Sequence, residues 1–249
     1  MAHHPLSAGS ILFHHHKPTV IAVIGCGGKT TFIHKLAEEC QQKKVLITPT
    51  TKMKPWDNEW IQLCTTLEDC DQHQATIGVQ CLGIQNNVTH KLEALPITLL
   101  QEIISHYDIA LLEADGSRGL PCKGWLHNEP VIPSFCTDTV AIVTLTSLNK
   151  PATKDSILRI PEFLQLTGLS YGDRITIDTL TMMICSDGGM LKNTVGERYL
   201  FINQVECDAD IPLAKQFIAS IQQSCKDPIR SFYGSAIRNQ WREYYASSS

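Results

Sequence analysis

The stretch Val20 to Thr31, reading Val-Ile-Ala-Val-Ile-Gly-Cys-Gly-Gly-Lys-Thr-Thr, constrains this chain more than any other. Its five apolar residues, mostly β-branched, make a strand buried on both faces, as found at the centre of a parallel sheet. Gly25, Gly27 and Gly28 then allow a tight turn whose amide N–H groups face a common point. Lys29 adds a fixed positive charge and Thr30 a hydroxyl that can reach a divalent metal ion. Phe32, Ile33, Leu36, Ala37 and Cys40 follow with helical period, so the turn feeds into a helix. The first N–H groups of such a helix, with its partial positive charge, attract anions. Together these elements predict a phosphate cradle made of Gly25, Cys26, Gly27, Gly28, Lys29, Thr30 and Thr31.

The usual spacing of such loops, Gly-x-x-x-x-Gly-Lys-Ser/Thr, would put glycine at position 23, which is Val. The first glycine is Gly25, giving a shorter Gly-x-Gly-Gly-Lys-Thr loop, a spacing similar to that of Mur-type ligases. The strand before it and the helix after it are the context such a motif requires.

Other segments supply partners for the cradle. Val45-Leu46-Ile47 reads as a second buried strand, and Thr48-Pro49-Thr50-Thr51-Lys52 leaves its carboxyl end, where open α/β sheets bind ligands. Thr50, Thr51 and Lys52 are therefore expected beside a γ-phosphate and its metal. Ile109 to Leu112 form another buried strand, with Glu113 and Asp115 at its end. Carboxylates so placed hold Mg²⁺ directly or through water, and residues two apart on a strand point the same way. Thr30, Glu113 and Asp115 are the predicted metal ligands. Arg118 and Lys123, on a loop loosened by Gly116 and Gly119, are expected to clamp developing charge. The catalytic candidates are Lys29, Asp115 and Arg118.

At 249 residues, with 43% hydrophobic and 18% charged, the chain can bury the core of one large domain. Its net charge of −4 argues against general binding to nucleic acid or an anionic membrane. No apolar run approaches the roughly 20 residues that span a bilayer. The first residues lack the basic-then-apolar order of a secretory leader, so a cytoplasmic protein is expected. The ten cysteines are scattered without a Cys-x-x-Cys pair and read as reduced, mostly buried thiols. Cys26 is the one to watch, because a helix N-terminus can lower a thiol pKa, although a small residue filling the loop is the simpler reading.

Strands alternating with helices predict a P-loop NTPase-like α/β fold with a doubly wound, mostly parallel sheet. The expected organisation is a flexible, His-rich arm over 1–17, one nucleotide-binding domain over 18–235, and a tail over 236–249. Residues 151–196 read as a small helical insertion, with Pro161 opening one helix and Thr176 or Asp178 capping another.

Several blocks together resemble the YqeC family, accessory proteins of selenium-dependent molybdenum hydroxylases. They are Gly25-Cys-Gly-Gly-Lys-Thr, Thr50-Thr-Lys-Met, Lys91-Leu92, Glu113-Ala-Asp-Gly-Ser-Arg-Gly-Leu-Pro, His127-Asn-Glu-Pro-Val-Ile-Pro and Gly188-Gly-Met-Leu-Lys. The resemblance covers roughly residues 18 to 206. It implies a nucleotide-binding maturation factor whose partner is another molybdenum-enzyme maturation factor or the target hydroxylase. The link to selenium and molybdenum comes from the resemblance alone.

The family tends toward Asn-Lys-x-Asp near Asn203, a guanine-reading pattern. Here Gln204 and Glu206 stand in the Lys and Asp places, so ATP and GTP are expected to bind within about tenfold of each other. The leading expectation is a Mg²⁺-dependent protein that binds ATP or GTP, with slow hydrolysis. A small-molecule kinase or ATP-dependent ligase is the alternative, and a nucleotide-free binding module with a vestigial loop is a third.

Overall fold

A computed structural model describes residues 4–13, 18–56 and 58–245. The run His14-His15-His16 and the Ser-rich C-terminal residues lie outside the described residues.

In chain order the elements are α1 (Ala8–Leu12), β1 (Thr19–Gly25), α2 (Lys29–Glu39), β2 (Lys44–Pro49), β3 (Lys52–Met53), β4 (Ile61–Cys64) and α3 (Leu67–Asp71). There follow β5 (Gly78–Leu82), β6 (Ile84–Asn86), β7 (Lys91–Glu93), α4 (Ile97–Ile104), β8 (Ile109–Glu113), β9 (Cys122–Lys123) and β10 (Asp138–Thr144). The chain ends with β11 (Ile157–Leu158), α5 (Ile160–Thr167), α6 (Ile177–Cys185), β12 (Glu197–Asn203), α7 (Ile211–Ser224), β13 (Arg230–Ser235) and β14 (Gln240–Glu243).

Nine strands form one sheet in the order β14-β13-β12-β10-β1-β8-β2-β5-β4. Only the β13–β14 pair is antiparallel, so the sheet is mostly parallel, as the alternation of strands and helices predicted. All seven residues of β1 are buried, and it lies between β8 and β10, which is why its run is continuously apolar. Helices cover both faces. Phe32, Ile33, Leu36 and Ala37 of α2 share one core with Ile21, Val23, Ile109 and Leu111. On the other face, α4, α6 and α7 pack over Val20, Ala22 and Ile24.

Both ends of the chain depart from expectation. Within the expected flexible arm, Ser7 caps α1, and Ala8, Ile11 and Leu12 are buried. Five helical residues are too few to show a period, so the sequence pattern missed them. Within the expected tail, β14 completes the sheet edge. Trp241 there is fully buried, edge-on to Phe201 at 4.5 Å and to Phe32 at 5.9 Å. The backbones of Leu6 and Trp241 bond to each other, so the two ends close together over α2.

Residues 151–196, read as a helical insertion, carry α5 and α6. They form the crossover from β10 to its parallel neighbour β12, and Phe163, Leu180, Met183 and Ile184 join the same core as β1. The cysteine expectation also needs one correction. Cys185, at the end of α6, is bonded to Cys225, which follows α7, with their Cα atoms 5.0 Å apart. Of the eight free cysteines described, all but Cys207 are buried.

Candidate functional site

The register of the central strands builds the site. Val23 of β1 pairs with Glu113 of β8, so β8 ends at the level where β1 runs into the glycine turn. Gly25 and Gly28 have φ of 99° and 127°, a region that L side chains rarely adopt. A Cβ on Gly25 would collide with the Ile142 carbonyl oxygen, and one on Gly28 with the Asn203 amide. Gly28 is the N-cap of α2 and offers no side-chain cap, so the first N–H groups of that helix face the turn without one.

Asn203 fixes this turn. Its amide donates to the Gly27 carbonyl oxygen at 2.7 Å, while its own oxygen accepts the Ala236 N–H at 2.8 Å. The residue is 4% exposed and ties the ends of β12 and β13 to the loop.

Lys29 opens α2, and its ammonium donates to the Gly25 carbonyl oxygen at 2.6 Å and lies 3.3 Å from Asp115. Burial works against the ammonium, but Asp115 and Glu113 outweigh it and hold its pKa above the ordinary lysine value. Asp115 is fully buried. It accepts the Gly25 N–H at 3.1 Å and the Trp125 indole N–H at 2.9 Å, and lies 3.5 Å from the Lys123 ammonium. Burial opposes its charge too, yet Lys29, Lys123 and these donors keep its pKa below the usual carboxylate range.

The two predicted carboxylate ligands therefore differ. Asp115 lies past the end of β8, where strand alternation no longer governs it, and both its oxygens are engaged within the protein. Glu113 is still on β8, near enough to Thr30 for that hydroxyl to favour the charged carboxylate. Burial raises its pKa, Asp115 adds to the rise, and Lys29 and Lys91 oppose it. Lys91, on β7, thus acts on the site from the small sheet β3-β7-β6.

The other predicted residues have their own partners. The Thr50 hydroxyl donates to the Val131 carbonyl oxygen at 2.6 Å, and Thr51 accepts the Ala94 N–H. Lys52 pairs with Glu93 at 2.6 Å within the small sheet, so its charge is already matched there. Arg118 is exposed, at φ 53°. Lys123 is no mobile clamp: it is fully buried, donating to the Gly116 carbonyl oxygen at 2.9 Å and pairing with Glu129 at 3.1 Å. Burial pushes the Cys26 thiol up to about 12, which suits a loop filler rather than a reactive thiolate. The side-chain oxygen of Gln204 accepts from the hydroxyls of Thr144 and Thr146, and Glu206 pairs with Arg238 at 3.4 Å.

Sequence reasoning missed Trp125, the pairing role of Glu129, and Arg159, which also pairs with Glu129. The signals for Glu129 were its place in a polar run and in the His127-Asn-Glu-Pro block of the family resemblance, neither of which showed its pairing, and Arg159 carried none.

The fold and site define an α/β protein whose central strand runs through a glycine turn into a helix opening on a buried lysine and an acidic strand end. The family model described as "YqeC protein" matches residues 21–161, and the chain belongs to that family. It is also similar to a protein of Escherichia coli (strain K12) named "Uncharacterized protein YqeC". The two are 27% identical over 215 residues, covering 83% of this chain and 84% of that one.

Proposed function

We propose that this chain binds a nucleoside triphosphate with Mg²⁺ and hydrolyses it slowly, as an accessory protein in enzyme maturation. The observation that carries this reading is the buried Lys29 ammonium at the mouth of a glycine turn leading into a helix without a side-chain cap. A lysine resting on a loop carbonyl can be drawn to phosphate oxygens, leaving Asp115 with Lys123 and Trp125.

The Thr30 hydroxyl and the Glu113 carboxylate are hard oxygen donors, and they would hold Mg²⁺. Among the described residues no group of three or more His, Cys, Asp or Glu side chains is arranged around a metal. Mg²⁺ commonly takes one or two protein oxygens and fills its remaining positions with phosphate and water. Mg²⁺ would neutralise charge on the phosphates. Asp115, with both oxygens engaged, positions Lys29. Arg118 sits on the loop after Asp115, free to close over a bound phosphate. With no uncommitted base in the cluster, turnover would be slow. The setting implied by the family resemblance is maturation of selenium-dependent molybdenum hydroxylases, with the hydroxylase or another maturation factor as partner.

The test is the acid side of Mg²⁺-dependent binding. Glu113 has a raised pKa, so it takes up a proton at higher pH than an ordinary glutamate, about 4.3, and metal must then compete with that proton. Mg²⁺-dependent nucleotide affinity should fall as pH drops through a range above that value. Glu113→Gln should remove both the Mg²⁺ dependence and the pH dependence. Calorimetric titration across pH reads both, and a Glu113→Gln protein that keeps the wild-type profile would take Glu113 out of the metal site.

A further inference from the structure

The pair Lys91-Leu92 lies on β7 of the small sheet, which is fastened to the acidic end of β8. In the nine-stranded sheet β8 runs between β1 and β2, so Glu113 stands between the glycine turn on one side and the end of β2 on the other. Two backbone hydrogen bonds lead outwards on the β2 side. The Glu113 carbonyl oxygen accepts the Thr50 N–H at 3.1 Å, and the Thr51 carbonyl oxygen accepts the Ala94 N–H at 3.1 Å. Leu92 is fully buried in the core that holds Met53 and Trp56, which fixes β7 against this end of the sheet. Lys91 comes just before it, half-buried, and close enough for its charge to act on the Glu113 carboxylate.

We propose that Lys91 is a second phosphate lysine, which contacts the terminal phosphate of a bound nucleoside triphosphate from the side opposite Lys29. The proposal rests on the nucleotide reading above. A nucleoside triphosphate carries Mg²⁺ between its last two phosphates. With that ion at Glu113, the terminal phosphate comes to the carboxylate on which both lysines act, Lys29 from the β1 side and Lys91 from the β2 side.

The neighbouring lysines differ in what already holds them. Lys29 has Asp115 at 3.3 Å, Lys52 has Glu93 at 2.6 Å, and the buried Lys123 has Asp115 and Glu129. Lys91 has no carboxylate within ion-pair distance among the described residues. Its ammonium, on a flexible four-carbon stem, can therefore turn onto a phosphate without giving up a pair. Lys52, which leaves β2 directly, would have to break from Glu93 to do the same.

Calorimetric titration tests the contact, with Mg²⁺ and a non-hydrolysable ATP analogue in one series and Mg²⁺ and ADP in the other. Lys91→Gln should weaken the triphosphate by about tenfold or more and leave the diphosphate within about twofold of wild type. Lys91→Arg, which keeps a cation in place, should bind the triphosphate better than Lys91→Gln. Lys54→Gln, which removes an exposed lysine soon after β3, should change neither series. Lys91→Gln separates no ion pair; should it still fail to fold, Lys91→Met, which keeps the apolar stem, takes its place. Unchanged triphosphate affinity in a folded variant would overturn the assignment. An equal loss for both nucleotides would overturn it too, because Lys91 would then act through Glu113 and the metal alone. A wild-type protein that binds neither nucleotide would overturn the nucleotide reading, and this assignment with it.

Discussion

Replacing Lys29 with Ala is expected to weaken Mg²⁺–ATP and Mg²⁺–GTP binding by about ten- to a hundredfold while the protein stays folded. A charge-assisted hydrogen bond contributes roughly 1.5–3 kcal/mol, and each 1.4 kcal/mol is about a factor of ten. The fold survives because Asp115 keeps the Lys123 ammonium, the Trp125 indole N–H and the Gly25 N–H after Lys29 is gone. Calorimetry with each nucleotide, beside a melting curve of the same variant, separates the two effects. Unchanged affinity in a folded variant would remove the glycine turn from phosphate binding.

Lys123→Met should have the largest effect on stability, a loss of roughly 3–5 kcal/mol, as when one partner is removed from a buried ion pair. That is a large part of the roughly 5–15 kcal/mol that holds a typical domain together. The methionine matches the lysine stem in size, so the loss comes from charge. Asp115 keeps Lys29, but Glu129 is left with Arg159 alone, and the Gly116 carbonyl oxygen loses its donor. Urea denaturation measures the cost. Adding Glu129→Gln to Lys123→Met should restore part of the stability, because the stranded carboxylate is then neutral. A single variant costing under about 1 kcal/mol would show that these ion pairs do not stabilise the fold.

The centre of the fold was legible because parallel strands buried on both faces leave continuous apolar runs, and β1, β2, β8 and β10 all have them. The glycine turn was legible for a related reason: φ values such as those at Gly25 and Gly28 exclude most other residues. The edges were not. The five residues of α1 are too short to show a period, and Trp241 is buried in a run that reads as a polar tail. Within the site, the sequence brought Lys29, Thr30, Glu113 and Asp115 together, since each follows directly from a buried strand. It could not rank the two carboxylates, because their difference depends on what packs around Asp115. Trp125, Lys123 and Glu129 reach Asp115 directly or in sequence, and Arg159 joins from a later crossover. The partners of Lys52 and Lys123 were not legible for one common reason. A lysine in a loop carries no mark of the carboxylate it will meet, here Glu93 for the first and Asp115 with Glu129 for the second.

Thermal unfolding across a panel of nucleotides tests the central claim most directly. A ligand that binds only the folded protein stabilises it by about 2.7 kcal/mol at a hundred times its Kd, enough to move the midpoint by several degrees. With Mg²⁺ present, ATP or GTP should raise the midpoint of the wild-type protein. EDTA should abolish most of the shift, and Lys29→Ala should show a much smaller one. A flat response to every nucleoside triphosphate, with and without Mg²⁺, would contradict the account and leave the glycine turn a structural feature alone.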